Sequence, residues 1–151
     1  MKNTSIDSFS VIGISVRTTN EDNQAAIDIP ALWNRFISEN IQAKIPDKTD
    51  DSIYSVYTDY EKDFTKPYTT ILGCKVSNLD TIPEGMIGRT FEKAVYRHFI
   101  AKGNLSQDAV YKKWEEIWNS GMDRKYTADF EIYGEKSRDF ENAEVDIFVA
   151  V

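Results

Sequence analysis

An order of secondary-structure elements that occurs twice constrains the fold of this 151-residue chain more than any single motif does. The first half begins with an alternating run at 8–18, which predicts a strand. Apolar residues then recur at spacings of three and four over 28–45. This spacing predicts an amphipathic helix with Pro30 in its first turn. Two β-rich runs follow, at 52–60 and 68–77, and they predict a hairpin with a longer loop.

The second half repeats this order without obvious sequence identity to the first. Its helix begins near Asn104 and Gln107, which have the spacing of a capping box. The two repeats cover about 8–77 and 86–151, so we expect a single domain over residues 1–151. The elements predicted for this half are a strand at 91–103, the helix at 104–121, and strands at 128–135 and 143–151.

These elements limit the possible architectures. Strands joined by hairpins favour one antiparallel sheet, and amphipathic helices bury their apolar stripes against a face of it. We therefore predict an α+β fold. In it, the duplicated strand–helix–strand–strand units form an antiparallel sheet with both helices on one side and a cleft between the halves.

The composition excludes several classes of protein. The net charge of −7 leaves no basic stripe for nucleic acid, so we expect no direct DNA binding, whereas an acidic balance suits cationic ligands. No stretch has the pattern of a signal peptide or of a membrane span, and we expect a cytoplasmic protein without a membrane partner. Cys74 and His98 are the single cysteine and histidine, so we predict no disulfide, no metal site and no cofactor.

The stretch ADFEIYGE at 128–135 holds the residue with the strongest case for function. In a strand, Asp129, Glu131 and Tyr133 share one face, and the apolar residues between them share the other. An edge strand whose polar face lies in water is the commoner use of such a pattern. A carboxylate on an aromatic wall would instead receive a cation, because a buried anion is costly until a counter-charge arrives.

Five motifs of this chain occur in an order that resembles the GyrI-like effector-binding domain, the ligand-binding part of AraC- and MerR-type multidrug regulators. They are GISVRTTNE, IPALWNRF, AVYRHFIAKG, DFEIY and VDIFVAV. The resemblance covers about Phe9 to Val151 and is strongest to free-standing integron-associated effector-binding proteins. It implies binding of bulky, often cationic and aromatic molecules in a cleft between the two halves, with a link to transcription regulation.

The same resemblance assigns roles to three residues. Glu131 corresponds to the acidic residue that makes the central contact. Tyr96 corresponds to the tyrosine of the family's YAVF-like strand, and Trp118 to a tryptophan near the end of the second helix. Arg97 and His98 replace smaller or apolar residues of the family pattern. They would bring positive charge near the cleft, which weakens the case for a cationic ligand.

Other aromatic residues complete the predicted site. Trp118 is preferred to Trp114, four residues earlier, because it lies at the helix end nearest the cleft. Trp33 and Phe36 of the first helix are expected in the core with an edge in the pocket. The predicted ligand-binding residues are Glu131, Tyr96, Trp118, Tyr133, Trp33 and Phe36.

Two further functions stay open from the sequence. Some GyrI-like proteins hydrolyse cyclopropane-containing cytotoxic compounds. In that chemistry Glu131 would activate a water, and Tyr96 or Tyr133 would supply a hydrogen bond or a proton. A protein-interaction module is the third interpretation, since the family name refers to inhibition of DNA gyrase. Small-molecule binding comes first, because it requires only the carboxylate, the aromatic walls and the cleft.

Overall fold

The computed structural model of this protein describes residues 3–151 and contains one eight-stranded sheet. The helices are α1 (Ala25–Ser38), α2 (Ile41–Lys44) and α3 (Ala109–Asn119), with 3-10 turns at Glu21–Asn23, Leu105–Gln107, Glu135–Ser137 and Phe140–Asn142. The strands are β1 (Asn3–Ile6), β2 (Phe9–Thr18), β3 (Ile53–Thr58), β4 (Tyr68–Val76), β5 (Ile87–Phe91), β6 (Ala94–Gly103), β7 (Ala128–Tyr133) and β8 (Ala143–Ala150).

The sheet confirms the predicted fold class. Its strand order is β1-β6-β8-β7-β3-β4-β2-β5, and every neighbouring pair is antiparallel. The order of the six inner strands reads the same from either end when β2, β3 and β4 are matched with β6, β7 and β8. The two halves therefore meet where β3 pairs with β7, at the centre of the sheet.

One row of residues across the sheet shows which face the helices cover. Paired residues of an antiparallel sheet point to the same side. The row contains the paired residues Ile14, Leu72, Ser55, Glu131, Ile147 and Phe99.

The two ends of this row are apolar, and its centre is polar. Ile14 and Leu72 are buried in a core cluster with Leu32 and Phe36 of α1. At the other end, Ile147 and Phe99 pack in a cluster with Trp114 and Ile117 of α3. The two helices thus lie on the same face, one over each half, and Glu131 lies between them.

The opposite face of the sheet carries an aromatic core, and within residues 3–151 no helical residue belongs to it. Phe9, Tyr54, Tyr96 and Phe130 are buried there with Phe91. Ring centroids in this cluster lie 5.0 to 6.1 Å apart, the range in which aromatic rings attract one another. Packing among these side chains, and not a second layer of helices, buries this face of the sheet.

The two edge strands, β1 and β5, were not predicted. Each precedes the first strand of one half by two residues but pairs with the corresponding strand of the other half. A two-residue link spans only about 10 Å, so the two ends of the sheet must approach each other and the sheet curls. The strand period did not reveal β5, because Gly88 and Arg89 interrupt its apolar alternation.

The helices are shorter than predicted. The expected helix at 28–45 is divided after Ser38, where Asn40 adopts a left-handed conformation, and α1 begins at Ala25, so Pro30 lies in its interior. The expected helix at 104–121 begins with a 3-10 turn. Asn104 accepts a hydrogen bond from the N–H of Ser106 there. No helix within residues 3–151 is long and apolar enough to cross a membrane.

A pair of glycines allows the sheet to curl. Gly13 of β2 lies opposite Gly73 of β4. A Cβ atom at Gly13 would overlap the carbonyl oxygen of Leu72, and one at Gly73 would overlap that of Ile12. The two backbones therefore approach more closely than any other residue pair would permit.

We expect Gly13→Ala to destabilise the protein by about 3 kcal/mol, because backbone rather than a flexible side chain must move to admit the methyl group. The free energy of unfolding in urea measures this loss. Gly134→Ala is the matched control and should change stability by less than about 0.5 kcal/mol, since its Cβ would meet only the movable hydroxyl of Ser52. Equal losses in the two variants would contradict the close-approach argument.

Candidate ligand-binding site

A cavity of about 510 Å³ lies between α1 and α3, above the central strands β3 and β7. This volume is in the range of pockets that take drug-sized molecules. Its walls come from both halves of the chain and from the loop between β3 and β4. Aromatic side chains are the largest group in the lining, namely Trp33, Tyr57, Tyr60, Phe64, Tyr68, Tyr111, Trp114, Trp118 and Tyr133.

Glu131 lies at the floor of this cavity and accepts hydrogen bonds from three side chains. The Tyr57 hydroxyl and the Trp114 indole N–H donate to Oε2, at 2.9 and 2.6 Å. The Tyr133 hydroxyl donates to Oε1 at 2.7 Å. The residue is only 1% exposed, so these neutral donors largely replace water around the carboxylate. Their positions hold both oxygens in a fixed orientation.

Glu131 has no counter-ion in the part of the chain that the structure describes. Within residues 3–151, no lysine, arginine or histidine nitrogen lies within 4.0 Å of its oxygens. Burial raises the pKa of Glu131, and the hydrogen bonds from Tyr133, Trp114 and Tyr57 oppose that rise. The pKa values of Tyr57 and Tyr133 are raised well above 10.0, by burial and by the adjacent carboxylate, so both remain neutral donors.

A second buried carboxylate, Asp129, lies two residues away and is fully compensated. Its Oδ2 accepts from Arg124 Nη2 at 2.7 Å and from the Tyr60 hydroxyl at 2.6 Å. Its Oδ1 accepts from the backbone N–H of Ala150 at 2.8 Å. The Arg124–Asp129 pair is close to neutral, so Glu131 supplies the unbalanced charge at the floor of the cavity.

The mouth of the cavity is bridged by two aromatic rings from different halves. Phe64, in the loop between β3 and β4, stacks on Trp118 of α3 at 5.3 Å, with the ring planes 5° apart. The backbone carbonyl of Phe64 accepts a hydrogen bond from the Asn20 side chain at 2.7 Å. Asn20 also accepts a hydrogen bond from the Tyr68 hydroxyl. Through Asn20, the loop that carries Phe64 is therefore connected to Tyr68 in the lining of the cavity.

Comparison with known proteins decides the family of this chain. A family model described as Cass2, integron-associated effector binding protein, matches residues 4–151. The chain belongs to this family of effector binding proteins. An integron cassette protein from the mobile metagenome of Vibrio cholerae, VCH_CASS2, is 34% identical. Its crystal structure aligns over 99% of this chain and 94% of its own, with a TM-score of 0.77. The resemblance and the fold predicted from the sequence are thereby confirmed.

Two further relatives extend the comparison of this effector binding protein. The Bacillus subtilis (strain 168) protein YobU, named as a candidate transcriptional regulator, is 28% identical over 98% of this chain and 95% of its own. The structure of SAV2435 bound to tetraphenylphosphonium shares the fold, with a TM-score of 0.81 and 22% identity. The alignment covers 99% of this chain and 92% of SAV2435.

The structure brings four of the six predicted site residues to the cavity of this effector binding protein. Glu131 and Tyr133 point from β7 toward the helices, and Trp33 and Trp118 face them from α1 and α3. Trp114 lines the cavity as well as Trp118, although its ring is mostly buried in the core. The preference for Trp118 alone therefore missed the tryptophan that contacts the carboxylate.

Tyr96 and Phe36 do not line the cavity, so the structure does not bring these two predicted residues together with the other four. Tyr96 is buried in the aromatic core on the opposite face, so the sheet separates it from Glu131. Phe36 points from α1 into the core between that helix and the sheet. Arg97 and His98 also lie outside the cavity lining, and His98 instead stacks on Phe148.

Several lining residues were missed, for different reasons. Tyr57 and Tyr54 lie on opposite faces of β3, and only the pairing of β3 with β7 shows that Tyr57 is the one that reaches Glu131. Phe64 and Arg124 lie in loops, where neither the strand period nor the helix period indicates which way a side chain points.

We expect Glu131→Gln to leave the melting temperature at neutral pH equal or higher. A glutamine oxygen can accept from Tyr57 and Trp114, while its amide donates to the Tyr133 hydroxyl. Because the folded-state pKa is raised above the usual 4.5, the folded state binds more protons than the unfolded state between these two values. Stability due to Glu131 therefore falls as pH rises through that window.

Thermal unfolding of both proteins from acid to neutral pH measures this effect. The melting temperature of the wild type should fall relative to that of Glu131→Gln as pH rises above 4.5. Parallel curves for the two proteins would show that burial does not shift the pKa of this carboxyl.

Proposed function

We propose that this protein binds bulky, amphipathic organic cations in the cavity between its two halves, with the Glu131 carboxylate as the anionic contact. The observation that carries the proposal is a buried carboxylate that three neutral donors orient and that no cation among residues 3–151 balances. A ligand that supplies the missing positive charge gains attraction in surroundings that screen charge poorly. The unfavourable free energy of burying the carboxylate arises when the protein folds, so ligand binding does not add it again.

The aromatic walls favour the same class of ligand. A cation over the face of a tyrosine or tryptophan ring gains about 0.5–2 kcal/mol per good contact. Tyr57 meets Trp114 edge to face at 5.7 Å, and Trp33 meets Tyr133 in the same way at 4.8 Å. Such contacts hold the rings before a ligand arrives, so little side-chain freedom is lost on binding.

Two relatives support this chemistry. Tetraphenylphosphonium, the ligand of SAV2435, is a bulky aromatic cation of the kind that this cavity fits by size, lining and charge. YobU carries a regulatory name, and we infer that ligand binding by the present protein likewise serves regulation rather than metabolism.

Hydrolysis remains the second candidate because the raised pKa of Glu131 suits a general base. The tyrosine partner would be Tyr133 or Tyr57, which touch the carboxylate, and not Tyr96, which lies across the sheet. Both hydroxyls donate to Glu131 in this structure. These hydrogen bonds lower the basicity of the carboxylate and so favour binding over turnover.

We expect tetraphenylphosphonium to quench tryptophan fluorescence with saturation, because Trp33, Trp114 and Trp118 all line the cavity. Tetraphenylborate, which has the same shape and the opposite charge, should bind at least tenfold more weakly. Glu131→Gln should weaken binding of the cation at least tenfold, since a charge-assisted contact contributes about 1.5–3 kcal/mol. Isothermal titration calorimetry gives the affinities directly.

Glu116→Gln is the matched control, because it removes the same charge from the exposed surface of α3, outside this cavity. Its affinity for the cation should equal that of the wild type. Equal affinity of the wild type for cation and anion would refute the proposal. Mass spectrometry of the recovered ligand separates binding from hydrolysis, and a product that Glu131→Gln fails to form would support the enzyme interpretation.

Affinity for the cation should also depend on pH. Protonation removes the charge of Glu131, so affinity should fall about tenfold per pH unit below the pKa of the free protein. Because burial raises that pKa, the loss should begin at a higher pH than for an ordinary glutamate. Calorimetry at several pH values tests this, and an affinity independent of pH from 4 to 8 would place the contact elsewhere.

A further inference from the structure

A second charged group lines the same cavity and is only partly hydrogen-bonded. The Arg124 side chain is 3% exposed, and its Nη2 donates to Asp129. Its Nε and Nη1 atoms are buried and have no hydrogen-bond partner within residues 3–151. Buried donors in folded proteins are nearly always paired, so this guanidinium has unused capacity at the wall of a ligand cavity.

The surroundings of Arg124 fix its position. Its guanidinium carbon lies 4.4 Å from the centroid of the Tyr126 ring and 5.7 Å from that of Trp114. Trp114 in turn donates its indole N–H to Glu131. The tryptophan thus contacts both charged groups, with the carboxylate at its N–H edge and the guanidinium near its ring.

Stacking on Tyr126 and pairing with Asp129 hold the guanidinium but satisfy neither Nε nor Nη1. Aromatic rings offer attraction to the face of a guanidinium and no acceptor in its plane. Asp129 has already accepted from Arg124, Tyr60 and the Ala150 backbone. The residues that the structure describes therefore supply no acceptor to Nε or Nη1.

We propose that Arg124 donates to a carbonyl oxygen of the ligand, so that the natural effector is a cation that also carries a neutral hydrogen-bond acceptor. The charge of the site favours a neutral acceptor over an anionic one. The Arg124–Asp129 pair is already balanced, and Glu131 would repel a second negative charge nearby. This inference rests on the proposed function and names the ligand class more narrowly.

The test compares two series of triphenylphosphonium cations. One series carries a primary amide at the end of an alkyl chain of increasing length, and the other carries plain alkyl chains of the same lengths. For the wild type, we expect one amide compound to bind at least tenfold more tightly than its alkyl match. Arg124→Lys keeps the charge beside Asp129 but lacks Nε and Nη1, so it should reduce the ratio of amide to alkyl affinity to about one, whatever its effect on the affinity for the alkyl cation.

The outcomes separate this inference from the proposed function. If the alkyl cations fail to bind the wild type, the proposed function is wrong. If they bind and the amide adds nothing at any chain length, or if its advantage persists in Arg124→Lys, then Arg124 has only a structural role.

A second measurement keeps the test valid if Arg124→Lys unfolds. The Nε–H of a guanidinium that is 3% exposed should give a slowly exchanging NMR signal in the wild type. This signal should shift with the amide cation and stay in place with the alkyl cation. An identical response to both cations would overturn the proposal.

Discussion

The buried negative charge of Glu131, which has no counter-ion among the described residues, is the constraint around which the rest of the site is organised. A carboxylate in this position stays ionised only if donors replace its lost water. Tyr57, Trp114 and Tyr133 do so from three different elements, β3, α3 and β7. These three contacts join the two halves of the protein at the floor of the cavity. They also orient the charge without neutralising it, which leaves it available to a ligand.

The duplicated topology explains why such a position exists. An amphipathic helix covers the outer strands of each half, and the central strands β3 and β7 lie in the gap between the two helices. Polar residues of the central row, Ser55 and Glu131, are therefore shielded from bulk water by aromatic side chains rather than by aliphatic packing. The exchanged edge strands β1 and β5 hold the halves together, so the cavity does not depend on the two helices touching each other.

The periodic spacing of apolar residues along the sequence predicted much of this architecture and part of the site. Alternation identified the six inner strands, and the spacing of apolar residues identified the helices, because both signals arise from one buried side of each element. Glu131, Tyr133, Trp33 and Trp118 were found in this way or through the family resemblance. The edge strands were missed because β1 is short and β5 is interrupted by Gly88.

The sequence by itself determined which residues share a face, since side-chain direction along a strand alternates with every residue. Only the tertiary structure decided which face the helices cover. That choice placed Tyr57 beside Glu131 and Tyr96 in the opposite core, although both tyrosines lie in strands. It also brought Arg124 from a loop to the cavity wall. Such long-range pairings depend on strand order and loop path, which no local period of the sequence records.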